Sequence, residues 1–228
     1  MPAEILEWDT AFFGFRIARV TPESAGEIDA WCAGEGVRCL YLLCRVEDAE
    51  TIRTAEDHDY RLVDVRMTLR QQPGAKADEA GPARPARPED LLALQAISRE
   101  CYHDTRFYND PGFPRPLVTS LYETWIRRSV EGWADAVLVT EDPLGPTGYI
   151  TCHRQGWRIG LVGVASRARG EGVGRTLVTR AIEWFRAQGA PEVAVSTQGR
   201  NTTALRLYER CGFLVEAVEL WYHKWYRL

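Results

Sequence analysis

The chain has 228 residues and a formal net charge of −4, with 45% hydrophobic and 26% charged residues. These proportions are typical of a globular protein with enough chain for one large domain or two small ones. The acidic charge, without any basic stripe, gives no reason to expect nucleic acid as a partner, and no apolar run reaches the ~20 residues that span a bilayer.

The N-terminus and the cysteines indicate a compartment. The first residues, MPAEILEWD, lack the basic and apolar regions of a signal peptide. Six cysteines and four histidines are dispersed without a C-x-x-C pair. We therefore expect reduced thiols, a cytoplasmic location and no bound metal.

The first 70 residues predict a small N-terminal α/β domain. Four strand-like segments, ILEW, RIARV, RCLYLLCR and RLVDVRMTL, surround two helical stretches near residues 25–33 and 47–56. A segment with four prolines, residues 71–88, then predicts an exposed linker. Residues 89–228 follow as a second and larger domain.

The second domain predicts the element order α–α–β–β–β–α–β–α–β–β. The predicted elements are helices over 89–101 and 116–130, strands over 134–141, 147–154 and 157–164, a helix between 173 and 189, a strand over 192–197, a helix over 201–211, and strands within 213–228. Short turns between the first three strands favour an antiparallel meander. We therefore expect the α/β (α+β) class, with a mixed, mostly antiparallel sheet flanked by helices.

The segment between the third strand and its helix is the most informative one. Gly170, Gly172 and Gly174 stand at alternate positions of the run RARGEGVGR. Glycines free the backbone N–H groups to contact an anion, and the helix N-terminus adds its positive dipole end. A tight turn that needs glycine only for its backbone is the alternative interpretation. A Walker loop does not fit, because Arg175 follows Gly174 where the lysine would stand.

The run resembles the acetyl-CoA pyrophosphate loop of the GCN5-related N-acetyltransferase (GNAT) superfamily, which has the pattern Q/R-x-x-G-x-G/A. The predicted element order of residues 89–228 is also similar to the GNAT fold. The resemblance implies an N-acetyltransferase with acetyl-CoA as its cosubstrate. The residues that it implies for acetyl-CoA binding are Val162, Gly163, Val164, Arg167, Arg169, Gly170, Glu171, Gly172, Val173, Gly174 and Asn201.

A second motif lies in VSTQGRNTTALRLYERCGF. Asn201 is placed to cap a helix, and Tyr208 lies two turns further on nearly the same face. The segment resembles the GNAT signature N-x-x-(A)-x-x-x-Y-x-x-x-G-F. That resemblance implies that Asn201 contacts the pantetheine arm and that Tyr208 is the general acid beside the thioester sulfur. The alternative is a capping asparagine and a half-buried tyrosine with purely structural roles.

The resemblance leaves the base open. It implies that the strand before the glycine loop polarises the thioester carbonyl through its main chain and separates from its neighbour to admit pantetheine. Candidates for the base lie in the acceptor-facing half, and an ordered water is a further route for the proton. The candidates are Glu141, His153, Asp104, Glu123 and Glu131.

Further segments point to the acceptor. The start W-D-x-x-F-F-G and the pair Arg106–Phe107 resemble the TDP-fucosamine acetyltransferase group, which acetylates a TDP-linked 4-amino-4,6-dideoxy-galactose. The resemblance implies a nucleotide-linked amino sugar as substrate, acceptor contacts from Arg106, Phe107 and Tyr149, and a homodimer. Arg106 could instead be a surface salt-bridge partner, and Trp8, Phe12, Phe13 and Phe15 could pack the small domain onto the large one.

Two other functions remain open at this point. The proline-rich linker and the aromatic C-terminus, WYHKWYRL, depart from the acceptor resemblance. The acceptor could then be another small amine, such as an antibiotic-pathway metabolite, an aminoglycoside-like compound or an amino acid. A non-catalytic acyl-CoA-binding module is the remaining alternative, and the retention of Tyr208 argues against it.

Overall fold

The computed structural model describes residues 2–72 and 81–226. Within these ranges, ten strands form one sheet and eight helices flank it. The strands are β1 (Ala3–Ile5), β2 (Ile17–Val20), β3 (Cys39–Arg45), β4 (Arg61–Gln71), β5 (Arg84–Pro85), β6 (Ala136–Asp142), β7 (Gly145–His153), β8 (Arg158–Val164), β9 (Val193–Gln198) and β10 (Leu214–Trp225). The helices are α1 (Glu7–Phe13), α2 (Asp29–Glu35), α3 (Ala49–Asp57), α4 (Leu91–Cys101), α5 (Arg106–Asn109), α6 (Arg115–Arg128), α7 (Val173–Ala187) and α8 (Thr202–Arg210).

The strand order across the sheet is β1-β2-β3-β10-β4-β9-β8-β7-β6-β5. Neighbouring strands are antiparallel except for two parallel pairs, β2 with β3 and β8 with β9. The prediction of a mixed, mostly antiparallel sheet flanked by helices is confirmed. No helix in the described part of the chain is long and apolar enough to cross a membrane.

The C-terminal strand joins the two halves of the chain. β10 lies between β3 and β4, so that Leu220 is opposite both Cys44 and Val65. β4 in turn pairs with β9 of the second half. The strands of residues 1–70 and 89–228 therefore share one hydrogen-bonded sheet, and the division of the chain into two domains stays a prediction.

The predicted linker is wrong at both of its described ends. Gln71 is buried and ends β4, and Arg84–Pro85 pair with β6 at the far edge of the sheet. Arg84 is held there because its guanidinium binds Asp90 and Glu141. The central part of the predicted linker, residues 73–80, lies outside the described residues.

Two further elements differ from prediction. The segment EWDTAFF is helix α1 and not a continuation of the first strand, and it ends at Gly14, whose φ of 77° is left-handed. The C-terminal segment forms the single 12-residue strand β10, with a bulge between Val215 and Ala217. A bulge bends a strand without ending it, which explains why the sequence there suggests more than one strand.

Alternating side chains separate two cores. Along β3, Leu40, Leu42 and Cys44 pack with α2 and α3, whereas Cys39 and Tyr41 face a cluster built by α1, α5 and α6. That second cluster is rich in aromatic rings, among them Phe13 and Phe113 with centroids 4.7 Å apart. Aromatic side chains of α1 therefore pack against the second half of the chain, as one interpretation of the sequence expected.

Candidate functional site

The site begins where β8 and β9 part. Their parallel pairing includes only Arg158 with Ala194 and Ile159 with Val195. Beyond these pairs, residues of both strands border a cleft of about 1070 Å³. On the β8 side these are Gly160, Leu161, Val162 and Val164, and on the β9 side Ser196, Thr197 and Gln198. The carbonyls of Val162 and Val164 accept hydrogen bonds from side chains there, so the main-chain N–H groups that the sheet no longer pairs are the groups that a ligand can use.

The glycine loop closes one side of this cleft. Gly170 and Gly172 have φ values of +84° and +82°, and a Cβ on either would meet no atom within 4 Å. Both positions need glycine for their backbone conformation, and the space beside them is open. Gly172 is the N-cap of the 15-residue helix α7, so the first N–H groups of α7 face the cleft. The loop has the features of an anion cradle.

Helix α8 forms the wall opposite β8. The side chain of its N-cap Asn201 accepts a hydrogen bond of 3.1 Å from the backbone N–H of Ala204, as expected of a cap. The Tyr208 ring is buried, packs on Phe213 and borders the cleft. Its hydroxyl forms no hydrogen bond with another described residue. The side chain of Tyr208 is therefore part of the cleft lining.

The structure brings most of the predicted acetyl-CoA residues to the cleft. Those that border it are Val162, Val164, Arg169, Gly170, Gly172, Val173, Gly174 and Asn201. Gly163, Arg167 and Glu171 do not border it. Gly163 instead packs under the Tyr149 ring, Arg167 pairs with Asp142, and Glu171 is exposed. None of these three residues therefore lines the cleft.

The other side of the cleft is built by distant parts of the chain and is referred to as the aromatic side. Its lining residues are Asp64, Arg66, Thr105, Arg106, Phe107, Tyr122, Trp125 and Trp221. They come from β4, α5 with the residue before it, α6 and β10. Rings, two guanidinium groups and one carboxylate together fit a ligand with both flat or apolar and anionic parts.

Of the three predicted acceptor contacts, Tyr149 needs correction. Arg106 and Phe107 border the cleft, but Tyr149 is fully buried and does not. Its hydroxyl donates to the hydroxyl of Tyr102 over 3.3 Å, and Tyr102 in turn donates to the carbonyl of Val162 over 3.0 Å. Tyr149 therefore lies behind Tyr102, the residue that borders the cleft, and is packed in the core formed with α4 and β6.

The comparisons with known proteins agree with this geometry. Residues 93–213, just over half of the chain, match the model of the acetyltransferase (GNAT) family. The chain belongs to the GNAT acetyltransferase family. Members of the family use acetyl-CoA as acyl donor. The glycine loop, both walls of the cleft and Tyr208 lie inside the matched region.

Relatives of this GNAT acetyltransferase extend the comparison. The dTDP-fucosamine acetyltransferase of Escherichia coli is 26% identical over 226 residues, which cover 97% of each chain. The spore coat polysaccharide biosynthesis protein SpsD of Bacillus subtilis is 28% identical over 62% of this chain, and that match spans half of SpsD. A GNAT acetyltransferase structure from Sphaerobacter thermophilus aligns with a TM-score of 0.67 and 20% identity, over 99% of this chain and 76% of its own. The GNAT fold is thus confirmed.

The candidates for the base separate clearly. Only Asp104 borders the cleft. Glu141, Glu123 and Glu131 form ion pairs with arginines elsewhere, and His153 is buried away from the cleft.

A carboxylate that the sequence analysis missed, Asp64, borders the aromatic side and is only 4% exposed. Burial raises the pKa of Asp64 from its ordinary 3.8 to about 6, against the lowering effect of the Val65 N–H and nearby arginines. A buried carboxylate that opens into the cleft is a functional-site signal that only the folded chain reveals.

A cluster of three buried polar side chains lies next to Arg106, on the side away from the cleft. Possible ligand atoms of Cys39, Asp110 and His223 lie within 4.8 Å of one another. His223 Nδ1 is already 2.6 Å from Asp110 Oδ2, and the Arg106 guanidinium is 3.3 Å from the other ring nitrogen. A permanent positive charge beside the cluster disfavours a second cation, so these side chains form a hydrogen-bond network.

Valine at Gly172 should weaken acetyl-CoA binding about tenfold or more, the worth of one hydrogen bond to a charged group. The new side chain would occupy the space through which the anion reaches the first N–H groups of α7. Gly189, at the other end of α7, has a φ of +80° and provides a control with the same backbone strain far from the cleft. Calorimetry should show a raised acetyl-CoA Kd for Gly172→Val and an unchanged one for Gly189→Val. Equal Kd values for both variants would exclude the loop from the binding site.

Proposed function

We propose that this GNAT acetyltransferase transfers an acetyl group from acetyl-CoA to the amine of a nucleotide-linked amino sugar, of the TDP-4-amino-4,6-dideoxyhexose type. The similarity to dTDP-fucosamine acetyltransferase over 97% of both chains carries the proposal, because it includes the N-terminal half that supplies β4. That half provides Asp64 and Arg66 to the aromatic side of the cleft. A relative that shared only the acetyl-CoA half would give no such support.

The donor side of the cleft fits acetyl-CoA. The open space at Gly170 and Gly172 and the start of α7 suit a pyrophosphate, and the separated strands suit the extended pantetheine arm. Acetyl-CoA supplies an acyl group already activated as a thioester. What the chain must add is the placement of a neutral amine, polarisation of the carbonyl and the transfer of protons.

The edge of β8 polarises the carbonyl. Residues 162–164 are hydrogen-bonded to β7 on one side and have no strand partner on the other. Main-chain N–H groups on that free edge are held rigidly by the sheet, so they need no reorganisation as negative charge develops on the carbonyl oxygen.

Tyr208 is the general acid for the departing thiolate. Burial raises the pKa of Tyr208 well above its ordinary 10, so the phenol is fully protonated at neutral pH. A CoA thiolate, whose conjugate acid resembles a cysteine with a pKa of about 8.5, leaves more easily when it is protonated. The free hydroxyl of Tyr208 at the cleft wall is suited to this step.

Asp64 receives the proton that the amine releases, directly or through a water molecule. The pairing of Arg66 with Gln198 places Asp64 just past the end of β9, where the Gly199 N–H binds the Val65 carbonyl at 2.7 Å. Asp64 Oδ1 lies 3.8 Å from Arg200 Nε, whose charge partly offsets the rise in the pKa of Asp64 that burial causes. A carboxylate with a pKa near 6 is poised for a general base at pH 7.

The acceptor class can be tested with a panel of amines and CoA-thiol release. We expect kcat/KM for a TDP-linked 4-amino sugar to exceed that for the free amino sugar by at least about a hundredfold, because binding energy from the nucleotide helps to position the amine. Aminoglycosides and amino acids in the same panel test the alternative that the acceptor is another small amine. Comparable kcat/KM values for the free and linked sugars would refute the nucleotide-linked acceptor.

Tyr208→Phe should lower kcat by roughly 10²–10⁴, the usual worth of a positioned general acid, with the KM for acetyl-CoA little changed. Tyr60→Phe is the matched control, because it removes a buried hydroxyl that binds the Ala25 carbonyl far from the cleft. Its kcat should equal that of the wild type. Steady-state and single-turnover rates would both be measured, and a Tyr208→Phe enzyme with a wild-type single-turnover rate would leave Tyr208 only its packing role.

Asp64→Asn should reduce kcat/KM and also remove the acidic limb of the pH–rate profile near pH 6. The sign follows from the raised pKa, since the active carboxylate is lost as pH falls through about 6. The same raised pKa means that ionised Asp64 destabilises the fold at pH 7, so the asparagine variant should gain up to about 3 kcal/mol of unfolding free energy. Asp104→Asn, at another carboxylate that borders the cleft, should change neither the pH–rate profile nor the free energy of unfolding. An Asp64→Asn enzyme with the wild-type rate and pH profile would show that Asp64 is not the base.

A further inference from the structure

Arg106 is held in an unusual way on the aromatic side of the cleft. Its guanidinium carbon lies 4.3 Å from the ring centre of Tyr41 and 4.0 Å from that of Trp221. Among the described residues the Arg106 guanidinium forms no ion pair within 4.0 Å, although its charge opposes the rise in pKa that burial causes at Asp9 and Asp64. The two rings are nearly perpendicular to each other, with an interplanar angle of 79° and centres 6.2 Å apart, so they enclose the guanidinium on two adjacent sides and leave N–H groups that can bind an anion.

The Arg106 edge that faces away from the cleft binds His223. Arg106 Nη1 is 3.3 Å from His223 Nε2, and a guanidinium has only donors, so Nε2 must be the acceptor. The proton of the imidazole then sits on Nδ1, which donates to Asp110 Oδ2 over 2.6 Å. The same carboxylate accepts from the Trp225 indole at 2.8 Å and from the Gly112 N–H at 2.9 Å.

In this network His223 has a single protonation state and a single tautomer. His223 and Asp110 are 1% and 4% exposed. Burial lowers the pKa of His223 to about 4, and the charge of Arg106 acts in the same direction. Hydrogen bonds from His223, Trp225 and Gly112 lower the pKa of Asp110 despite its burial. At pH 7 the imidazole is neutral, its tautomer is fixed, and its remaining lone pair points to Arg106.

We propose that His223, fixed by Asp110, is a positioning residue that orients Arg106 to bind an anionic group of the acceptor. The inference rests on the proposed function for the identity of that anion, which is the diphosphate of the linked nucleotide. A guanidinium that is held by two rings and hydrogen-bonded through Nη1 presents its remaining N–H groups in a defined plane, which matches a pair of phosphate oxygens. Because the anion is not itself the reacting group, we expect the orientation of Arg106 to act mainly on acceptor binding and little on the chemical step.

A double-mutant cycle tests this assignment. We expect His223→Phe, which keeps a ring beside Tyr41 but no acceptor, to raise the KM for a TDP-linked amino sugar roughly tenfold, with kcat within about twofold. Arg106→Lys keeps the charge without the planar fork and should raise KM at least as much. The double variant should match Arg106→Lys alone, because His223 acts through Arg106. The KM for a free amino sugar should not change in any of them.

Two further variants separate positioning from general damage to the core. Trp225→Phe removes another hydrogen bond to the same oxygen of Asp110 without touching Arg106, so it should lose stability and keep the wild-type KM. His223→Gln offers a donor and an acceptor on one side chain and should restore part of the lost affinity if His223→Phe fails to fold or to bind. Three results would overturn the proposal. Trp225→Phe could raise KM as much as His223→Phe does, or the KM for the free sugar could rise as much as that for the linked sugar. The effects of His223→Phe and Arg106→Lys could also add in the double variant.

Binding of thymidine diphosphate, measured by calorimetry, keeps this test distinct from the test of the proposed function. A wild-type enzyme that acetylates no nucleotide-linked amino sugar refutes the proposed function, whatever the variants do. A wild-type enzyme that binds thymidine diphosphate and loses roughly tenfold affinity in His223→Phe supports the positioning role. Equal affinity of the wild type, His223→Phe and Arg106→Lys, or no binding by the wild type, overturns it.

Discussion

The parting of β8 from β9 after Ile159 is the constraint on which the rest of the site depends. If the parallel pairing continued, the sheet would satisfy the backbone groups of both strands and leave no room between them. Because it stops, residues 160–162 and 164 of β8 and residues 196–198 of β9 border a cleft, and α7 begins at its edge. An extended chain with amide groups, such as a pantetheine arm, can then take the place of the missing strand contact.

The second side of the cleft depends on where the C-terminal strand enters the sheet. β10 lies between β3 and β4, so Trp221 is opposite Asp64 on one neighbour and Leu43 on the other. This placement brings His223 of β10 beside Tyr41 of β3 with ring centres 4.6 Å apart. Residues separated by more than 150 positions thereby form one wall, and the two halves of the chain share the site as well as the sheet.

How much of the site can be predicted depends on how local its geometry is. The spacing of Gly170, Gly172 and Gly174 and the two-turn separation of Asn201 from Tyr208 are set within a loop and a helix, so the sequence alone indicates them. The main elements of the fold are predictable for the same reason, through their hydrophobic periodicity.

The acceptor wall is not local, and prediction fails there. In RLVDVRM the alternation does separate Asp64 and Arg66 from the valines, but no pattern within one strand tells which face borders a cleft. His223 looks like one more polar residue in an aromatic run until β10 takes its place between β3 and β4. Tyr149 shows the opposite error, because its position on β7 turns it to the core behind Tyr102.

The two buried aspartates show how the fold treats structural and chemical charges differently. Asp110 has three donors, from His223, Trp225 and Gly112, and its pKa is lowered, so its charge is stabilised by the folded chain. Asp64 accepts the N–H of Val65 and is near the charges of Arg200 and Arg106, but the effect of burial is larger and its pKa is raised. A fold that can satisfy one buried carboxylate so completely has no structural need for a second one that it leaves poorly paired. The opposite pKa shifts of Asp64 and Asp110 match the roles proposed for them. A base must gain and lose a proton near neutral pH, whereas a positioning group must keep one protonation state.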